Sequence, residues 1–364
     1  MVINMKGLYI HIPFCVSKCF YCDFNSYAGK LYLAEPYVGA VLKEAQRFSG
    51  CEINTVYIGG GTPTALPCPE ITRLISGIKK IFKISADAEF TVEMNPGTAD
   101  GDYLKALKAL GVNRISMGAQ SFDDTLLKKI GRIHRSDDIF TAVRLCKEAG
   151  FENYSLDLMF SLPGQTLAVW ADTIKKAVSL KPSHISAYGL KIEPGTPFYE
   201  RGVKPLPDSL DREMYHLATD FFKSHGLNQY EISNFAILGK ESRHNLKYWH
   251  CEEYIGLGAG AHGFISDNGK KIRYSNIKAV ESYINKIGET GNAVSEKNIL
   301  TENDIKTEKI IMGLRLTEGV PQELIPEEKA AFYIKNGFMK KNLNRVSFTE
   351  KGFDVSNTIL SDLI

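Results

Sequence analysis

The stretch HIPFCVSKCFYCDF, from His11 to Phe24, carries Cys15, Cys19 and Cys22 in the spacing C-x3-C-x2-C. Three thiolates on one short loop can hold one face of a metal centre, but a tetrahedral ion needs a fourth ligand. Two interpretations follow from these residues alone. A zinc ion would take its fourth ligand from His11 or another side chain, whereas a 4Fe–4S cluster would leave one iron open.

The zinc interpretation is the weaker of the two. His11 precedes Cys15 by only four residues and lies in a predicted strand, so its side chain can point away from the loop. A zinc site of this kind usually staples a small module, whereas this loop follows the first strand of a long α/β pattern. We therefore expect an iron–sulfur cluster here.

Short apolar strands alternate with amphipathic helices over the first two thirds of the chain. This alternation predicts parallel strands joined by crossover helices, in about six units that end near residue 195. Six units predict an incomplete (β/α)6 barrel, in which functional groups lie where the strands end. The candidates at those points are Gly60, Gly61 and Thr62 after the second strand, Glu93 ending the third, Gln120 after the fourth and Asp157 on the fifth.

The pattern changes beyond about residue 205. Ser242–Phe264 is rich in aromatic residues, histidine and glycine, which predicts mostly loop. The last 65 or so residues predict a small α+β unit whose element order loosely resembles a winged helix, although a packed accessory role is the simpler interpretation. We therefore divide the chain into a barrel core at 1–235, a connecting segment at 236–295 and an accessory domain at 296–364.

The composition excludes several classes of function. Lys+Arg number 44 and Asp+Glu 42, so the net charge of +2 gives no argument for nucleic acid or an anionic membrane. The first residues form an apolar stretch that is too short and too interrupted for a signal peptide. No run reaches the roughly 18 apolar residues of a spanning helix. Seven cysteines, an odd number, then favour reduced thiols in a cytoplasmic protein.

The cysteine spacing after the first strand of a partial barrel resembles the radical SAM family. The resemblance implies a 4Fe–4S cluster on the three cysteines, whose open iron binds S-adenosylmethionine and whose electron cleaves it. GGGTP at 59–63 resembles the glycine-rich loop of that family. The positions that the resemblance assigns to S-adenosylmethionine are Tyr9, Gly60, Gly61, Thr62, Glu93, Gln120, Arg132 and Asp157. Taken singly, each polar residue would more often be a surface group or an ion pair, and Tyr9 a core residue.

Two longer stretches, YIHIPFCVSKCFYCDFNSY and DLMFSLPGQT, resemble the oxygen-independent coproporphyrinogen III oxidase group. That group contains true oxidases and a branch of haem chaperones. Phe24 stands where the oxidases have a fourth cysteine, and the first predicted strand begins near residue 7, without their N-terminal extension. The sequence HNLKYW resembles the H-N-x-x-Y-W motif of the chaperone branch, which is associated with haem. All three features favour the chaperone branch.

The motif implies a haem site formed by His244, Asn245, Tyr248 and Trp249. Histidine is a common axial ligand of haem iron. Without the resemblance, His244 would be interpreted as a hydrogen-bonded loop histidine, and His250, Cys251 and His262 lie close enough in sequence to be alternatives.

Two functions lead after this reasoning, ahead of two weaker alternatives, a radical SAM enzyme with an unrelated substrate and a zinc protein with no redox role. The first is a haem chaperone that passes haem to an acceptor protein. The second is an enzyme that converts two propionates of coproporphyrinogen III to vinyl groups. The implied partners are haem or a porphyrinogen, a haem-accepting protein and an electron donor for the cluster, with no nucleic acid. A homodimer and transient membrane association stay open.

Overall fold

Six parallel strands lie side by side in chain order at the centre of the protein. The computed structural model describes residues 5–364, so the start of the N-terminal stretch considered for a signal peptide lies outside the described residues. Each strand pairs with the next in parallel register, which confirms the predicted incomplete barrel. The six strands are Lys6–Ile12, Glu52–Gly60, Lys83–Met94, Arg114–Gln120, Tyr154–Phe160 and His184–Gly189.

Amphipathic helices cover the outside of these strands. In the helix Cys68–Ile81, Ile71, Leu74, Ile75 and Ile78 are buried on one stripe, as their spacing predicts. Thr166 caps the helix Leu167–Ser179 by accepting a hydrogen bond from the Val169 N–H. The remaining helices of this part are Ala34–Ala45, Gly101–Ala109, Asp124–Lys129, Ser136–Glu148, Pro197–Glu200, Asp208–Ser224, Arg243–Trp249 and Val280–Thr290.

The central sheet continues beyond the first strand. Tyr254–Leu257 pairs in parallel with it, placing Tyr254 opposite Gly7, and three antiparallel strands follow. The expectation that Ser242–Phe264 is mostly loop is therefore wrong. A Cβ on Gly256 would meet the His262 carbonyl oxygen at 1.8 Å, so this glycine serves close backbone packing rather than a loop. The three added strands are His262–Asp267, Lys270–Asn276 and Val294–Ile299.

A short hairpin closes the other edge of the sheet. It consists of two strands, Asn228–Glu231 and Asn234–Ala236, which pair antiparallel to each other. The second of them pairs antiparallel with the sixth barrel strand. Glu231 also forms an isolated bridge with Leu316, which joins this edge to the C-terminal part of the chain.

The C-terminal part has a hydrophobic cluster of its own, which runs from Ile310 to Leu363 and is distinct from the barrel core. Its three-stranded sheet is antiparallel. The division of the chain into three parts stays a prediction. Within residues 5–364 no helix combines the length and apolar sequence needed to cross a bilayer. The elements are helices Glu302–Gly313, Glu327–Lys335, Glu350–Asp354 and Ser356–Leu363, and strands Val320–Pro321, Met339–Asn342 and Arg345–Phe348.

Candidate functional site

A cavity of about 680 Å³ lies at the carboxyl ends of the barrel strands and under the cysteine loop. Cavities of this size in proteins accommodate small molecules. Most of the predicted site residues meet here, although the sequence places them on different strands and loops. The predicted residues that line it are Cys15, Cys19, Cys22, Gly60, Gly61, Thr62, Glu93, Gln120, Arg132, Asp157 and Asn245.

Each cysteine of the loop has a polar neighbour at its sulfur. The Thr62 hydroxyl donates to Cys15 Sγ at 3.6 Å, and Arg132 Nη1 donates to Cys19 Sγ at 3.5 Å. The Ser26 hydroxyl lies 4.0 Å from Cys22 Sγ. Burial raises the pKa of the Cys15 and Cys22 thiols. A free thiolate is therefore disfavoured at these positions, and a bound metal centre would stabilise it.

The same loop does not provide a site for a single metal ion. Among residues 5–364, no three His, Cys, Asp or Glu side chains are placed to hold one ion together. Both ring nitrogens of His11 are engaged, Nδ1 with the Tyr9 hydroxyl at 2.9 Å and Nε2 with the Asn25 carbonyl oxygen at 2.8 Å. A carbonyl only accepts, so Nε2 carries the proton and Nδ1 accepts from Tyr9. The three thiols alone fit a 4Fe–4S cluster, and Tyr9 supports His11 rather than lining the cavity.

The glycine loop brings its backbone against a buried carboxyl group. The Gly60 N–H donates to Glu93 Oε2 at 2.9 Å, and the Tyr57 hydroxyl donates to Oε1 at 2.7 Å. Gly60 has φ 113°, and a Cβ there would meet the His11 ring at 2.4 Å, so only glycine fits. Burial raises the pKa of Glu93 to about 7. The carboxyl group is therefore only partly ionised near neutral pH, and its ionised form would accept a hydrogen bond from an ammonium group in the cavity.

Asp157 lies within a ring of three serine hydroxyls. Ser186 donates at 2.8 Å, Ser116 at 3.2 Å and Ser155 at 3.3 Å. Burial raises the pKa of Asp157, and these hydrogen bonds partly offset that effect. Sequence reasoning missed the serines, although strand register gives a signal: Ser116 lies opposite Ser155, and Asp157 opposite Ser186.

Arg132 and Gln120 complete this side of the cavity. Arg132 Nη2 donates to the Gly118 carbonyl oxygen, so the guanidinium joins the fourth strand to the cysteine loop. Its assignment to S-adenosylmethionine stays a prediction. Gln120 has φ 63°, a left-handed conformation that is uncommon outside glycine and is often found at functional sites.

The HNLKYW segment forms the helix Arg243–Trp249, and its histidine is inaccessible. His244 is 0 % exposed. Its Nδ1 lies 2.8 Å from the Thr55 hydroxyl, and its Nε2 lies 2.8 Å from the Tyr248 hydroxyl one helical turn later. The ring stacks on Tyr57 with centroids 5.3 Å apart. Burial lowers the pKa of His244 to about 3, so the imidazole is neutral.

Two contacts fix this helix against the barrel. The Glu89 carboxylate accepts from the backbone N–H groups of Arg243 at 3.1 Å and His244 at 2.9 Å, a favourable position at a helix N-terminus. On Gly7 of the first strand, a Cβ would come within 3.2 Å of the His244 ring. Asn245 lines the cavity. His244, Tyr248 and Trp249 are absent from the cavity lining among the described residues.

Two arginines of the cavity wall were missed by sequence reasoning. Arg114, at the start of the fourth strand, is 1 % exposed, and Arg315 follows the helix Glu302–Gly313. Each has an Nε with no hydrogen-bond partner. The sequence offers no signal for either residue, since arginine at an element end is usually exposed.

Comparisons with known proteins agree with this geometry. Residues 9–177 match the model of the radical SAM superfamily. The chain is 43% identical over 333 residues to "Heme chaperone HemW" of Bacillus subtilis (strain 168), covering 89% of this chain and 87% of that protein. It is 37% identical over 323 residues to "Heme chaperone HemW" of Escherichia coli (strain K12), covering 87% and 84% of the two chains.

A solved structure covers nearly the whole chain as well. It is that of coproporphyrinogen III oxidase (HemN) from Escherichia coli, which is described as a radical SAM enzyme. It superposes with a TM-score of 0.86 at 25% sequence identity, over 98% of this chain and 89% of that one. The fold, the cysteine loop and the identities lead to one assignment: this chain belongs to the radical SAM superfamily, in the group of proteins named heme chaperone HemW.

Proposed function

We propose that the protein is a haem chaperone that binds haem and transfers it to an acceptor protein. The observation that carries this proposal is the high identity, over most of both chains, to proteins named heme chaperone HemW. Phe24 supports it, because a phenylalanine that is 61% exposed replaces the fourth cysteine expected of an oxidase. A cytoplasmic setting suits the seven cysteines, all of which are free thiols.

We further propose that the cavity holds a 4Fe–4S cluster and S-adenosylmethionine. Cys15, Cys19 and Cys22 would hold the cluster, which together with S-adenosylmethionine supplies reductive cleavage chemistry when both are bound. The Thr62 hydroxyl and the Arg132 guanidinium donate to sulfur, so they stabilise thiolate charge. An electron donor is then a necessary partner.

The polar groups around the cavity suit the parts of S-adenosylmethionine. Glu93 has an acceptor beside the glycine loop for an ammonium group. Asp157 and its serine hydroxyls can exchange hydrogen bonds with ribose hydroxyls. Gln120 offers an amide to the same cavity.

Haem ligation needs a neutral imidazole with a free nitrogen. His244 is neutral, but both nitrogens are engaged, so ligation by it requires the helix to open. His250 Nε2 lies 3.0 Å from Glu318. His262 is exposed, and burial of part of its ring lowers its pKa, so its neutral form is favoured. Accessibility therefore favours His262, with His244 a ligand only after rearrangement.

A titration of haem into the anaerobically reconstituted protein separates these ligands. The absorbance spectrum is followed for the wild type and for His244→Ala, His250→Ala and His262→Ala. Loss of the ligated spectrum in one variant alone identifies the ligand. An unchanged spectrum in all three would overturn ligation by these histidines.

The second candidate is oxidative decarboxylation of coproporphyrinogen III. The likeness to the solved oxidase structure favours it, as does a cavity lined by Thr62, Glu93, Gln120, Arg132 and Asp157. Incubation with S-adenosylmethionine, a reductant and coproporphyrinogen III distinguishes the two functions. Protoporphyrinogen and 5′-deoxyadenosine formed over many turnovers would make the protein an oxidase. Haem transfer to an apo-acceptor without protoporphyrinogen formation is the outcome expected here.

A further inference from the structure

The four arginines that line the cavity differ in what holds them. Arg212 pairs with Asp211 at 2.5 Å and with Asp354 at 3.5 Å. Arg132 donates to a cysteine sulfur and to a backbone carbonyl. Arg114 and Arg315 form no ion pair among residues 5–364, and the Nε of each lacks a hydrogen-bond partner there, as does Arg132 Nε. Two guanidinium groups on one cavity are therefore available for a ligand.

Arg114 is the stronger of the two observations. It is 1 % exposed, and a buried charge without a partner costs several kcal/mol in general. It is the first residue of its strand, between Thr91 and residues 153–154 of the neighbouring strands, so the backbone fixes where its side chain begins. An arginine stays charged under all ordinary conditions. An anion that enters the cavity would satisfy it.

Arg315 approaches the same cavity from the C-terminal part of the chain. Its carbonyl oxygen accepts from the Ile232 N–H at 3.0 Å, which anchors its backbone to the edge of the barrel. Ile232 and Ser233 line the cavity next to it. The arginine thus belongs to a fixed part of the wall rather than to a loose surface segment.

Carboxylates of the protein do not neutralise this pair by contact. Glu93 and Asp157 attract Arg114 electrostatically, but neither forms an ion pair with it. The buried Glu231 attracts Arg315 in the same way, without forming an ion pair with it within residues 5–364. Burial raises the pKa of Glu231 to about 7, so at neutral pH it is only partly a counter-charge.

We propose that Arg114 and Arg315 bind carboxylate groups of the ligand that enters the cavity. A planar guanidinium fork matches a carboxylate in two parallel hydrogen bonds, and two forks suit a ligand with two carboxylates. A tetrapyrrole with two propionates has this chemistry, and its assignment rests on the proposed haem function. The carboxylate of S-adenosylmethionine is the other source of the same chemistry.

The test compares ligands with and without free carboxylates. Dissociation constants are measured by absorbance titration for haem and for haem dimethyl ester, and by equilibrium dialysis for S-adenosylmethionine and its decarboxylated form. The proteins are the reconstituted wild type, Arg114→Gln, Arg315→Gln and the matched control Arg273→Gln, whose arginine pairs with Glu308 and is absent from the cavity lining among the described residues. Arg114→Lys keeps the charge, and circular dichroism with thermal melting checks that each variant is folded.

The wild type is expected to bind haem at least about tenfold more tightly than its dimethyl ester. Arg114→Gln and Arg315→Gln should each weaken haem about ten- to a hundredfold while leaving the ester unchanged, since charge-assisted hydrogen bonds have this strength. Arg273→Gln should leave the ratio of the two constants unchanged. Arg114→Lys should retain part of it.

Other outcomes decide the remaining questions. A loss confined to S-adenosylmethionine, absent for its decarboxylated form, would support the carboxylate site and name that cofactor as the source. Equal effects on acid and ester forms, or no effect on either, would overturn the inference. A wild type that binds neither haem form would refute the haem function, and the S-adenosylmethionine arm would then decide this inference alone. If Arg114→Gln fails to fold, Arg114→Lys and Arg315→Gln carry the same comparison.

Discussion

The cysteine loop and the helix Arg243–Trp249 hold their polar side chains in opposite ways. The thiols of the loop line a cavity, and Thr62, Arg132 and Ser26 lie beside their sulfur atoms. In the helix, His244 and Tyr248 bond to each other within the core, and Thr55 engages the second histidine nitrogen. The loop is ready for a ligand, whereas the helix is already satisfied by the protein itself.

This difference shows how a polar sequence motif should be interpreted as a possible ligand site. A buried polar group needs a partner, and the protein can supply that partner or leave it to a ligand. His244 stacks on Tyr57, whose hydroxyl bonds Glu93, which in turn accepts from the Gly60 N–H. As the structure stands, the helix acts on the cavity through this chain of contacts, with Asn245 as its direct contribution.

Removal of a cysteine should have the largest effect. Cys15→Ser, after anaerobic reconstitution, should lose the brown colour and nearly all bound iron and sulfide, because serine is a poor ligand for such a cluster. Iron and sulfide content and the visible spectrum measure this. Cys68→Ser is the matched control, since this half-buried thiol lies at the start of the helix Cys68–Ile81, away from the cavity lining. A Cys15→Ser protein with its full iron content would contradict the statement that the thiols of the cysteine loop bind the cluster.

Glu93 should make the stability of the apo-protein depend on pH. Burial raises its pKa from an ordinary 4.5 to about 7, so the folded state holds a proton that the unfolded state loses. The free energy of unfolding should therefore fall as pH rises from about 4.5 to about 7, by about 3 kcal/mol for this group. Glu93→Gln should remove that decline.

Urea unfolding at pH 5 and pH 8 measures this decline for the wild type and Glu93→Gln. Glu231→Gln is a useful second variant, because burial raises the pKa of Glu231 to about 7 as well. The free energy of unfolding could instead change equally between pH 5 and pH 8 in the wild type and in Glu93→Gln. That result would show that Glu93 is ionised in the cavity throughout this pH range.

His244→Ala should reduce the free energy of unfolding by about 2–4 kcal/mol, because it removes two hydrogen bonds and a fully buried ring. His262→Ala is the control, and its exposed ring predicts a change within about 0.5 kcal/mol. Denaturant unfolding of the apo-proteins gives both values. Similar small losses in the two variants would contradict the structural role of His244.

Tyr248→Phe should have the smallest effect. It removes the hydroxyl that bonds His244 Nε2 and keeps the ring that packs against Tyr254, so a loss of about 1 kcal/mol is expected. The same unfolding experiment measures it, with haem titration alongside. Tighter haem binding in Tyr248→Phe would mean that the freed His244 Nε2 becomes a ligand of the haem iron. The helix, like the cysteine loop, would then provide a ligand-binding group.

The residues that line the cavity could be predicted because the sequence patterns that indicate them are local. Strand–helix alternation and one cysteine spacing place Glu93 and Asp157 at strand ends, and the structure has them there. The state of His244 could not be predicted, since it depends on Thr55 and Tyr57 in a strand almost 190 residues away along the chain. The availability of Arg114 has the same origin, because what it lacks is a neighbour in space rather than a feature of its own sequence.

The strand Lys6–Ile12 is synthesised before both of the strands that flank it in the sheet. It has the strand Glu52–Gly60 on one side and Tyr254–Leu257 on the other. At ordinary rates of synthesis, the 194 residues between 60 and 254 take roughly 10–40 s to emerge from a ribosome. Until then the strand that leads into the cysteine loop has an open edge, which invites pairing with other chains. Cluster insertion into a growing chain would therefore act on an unfinished barrel, and expression with a slow C-terminal half should favour aggregation over metal loading.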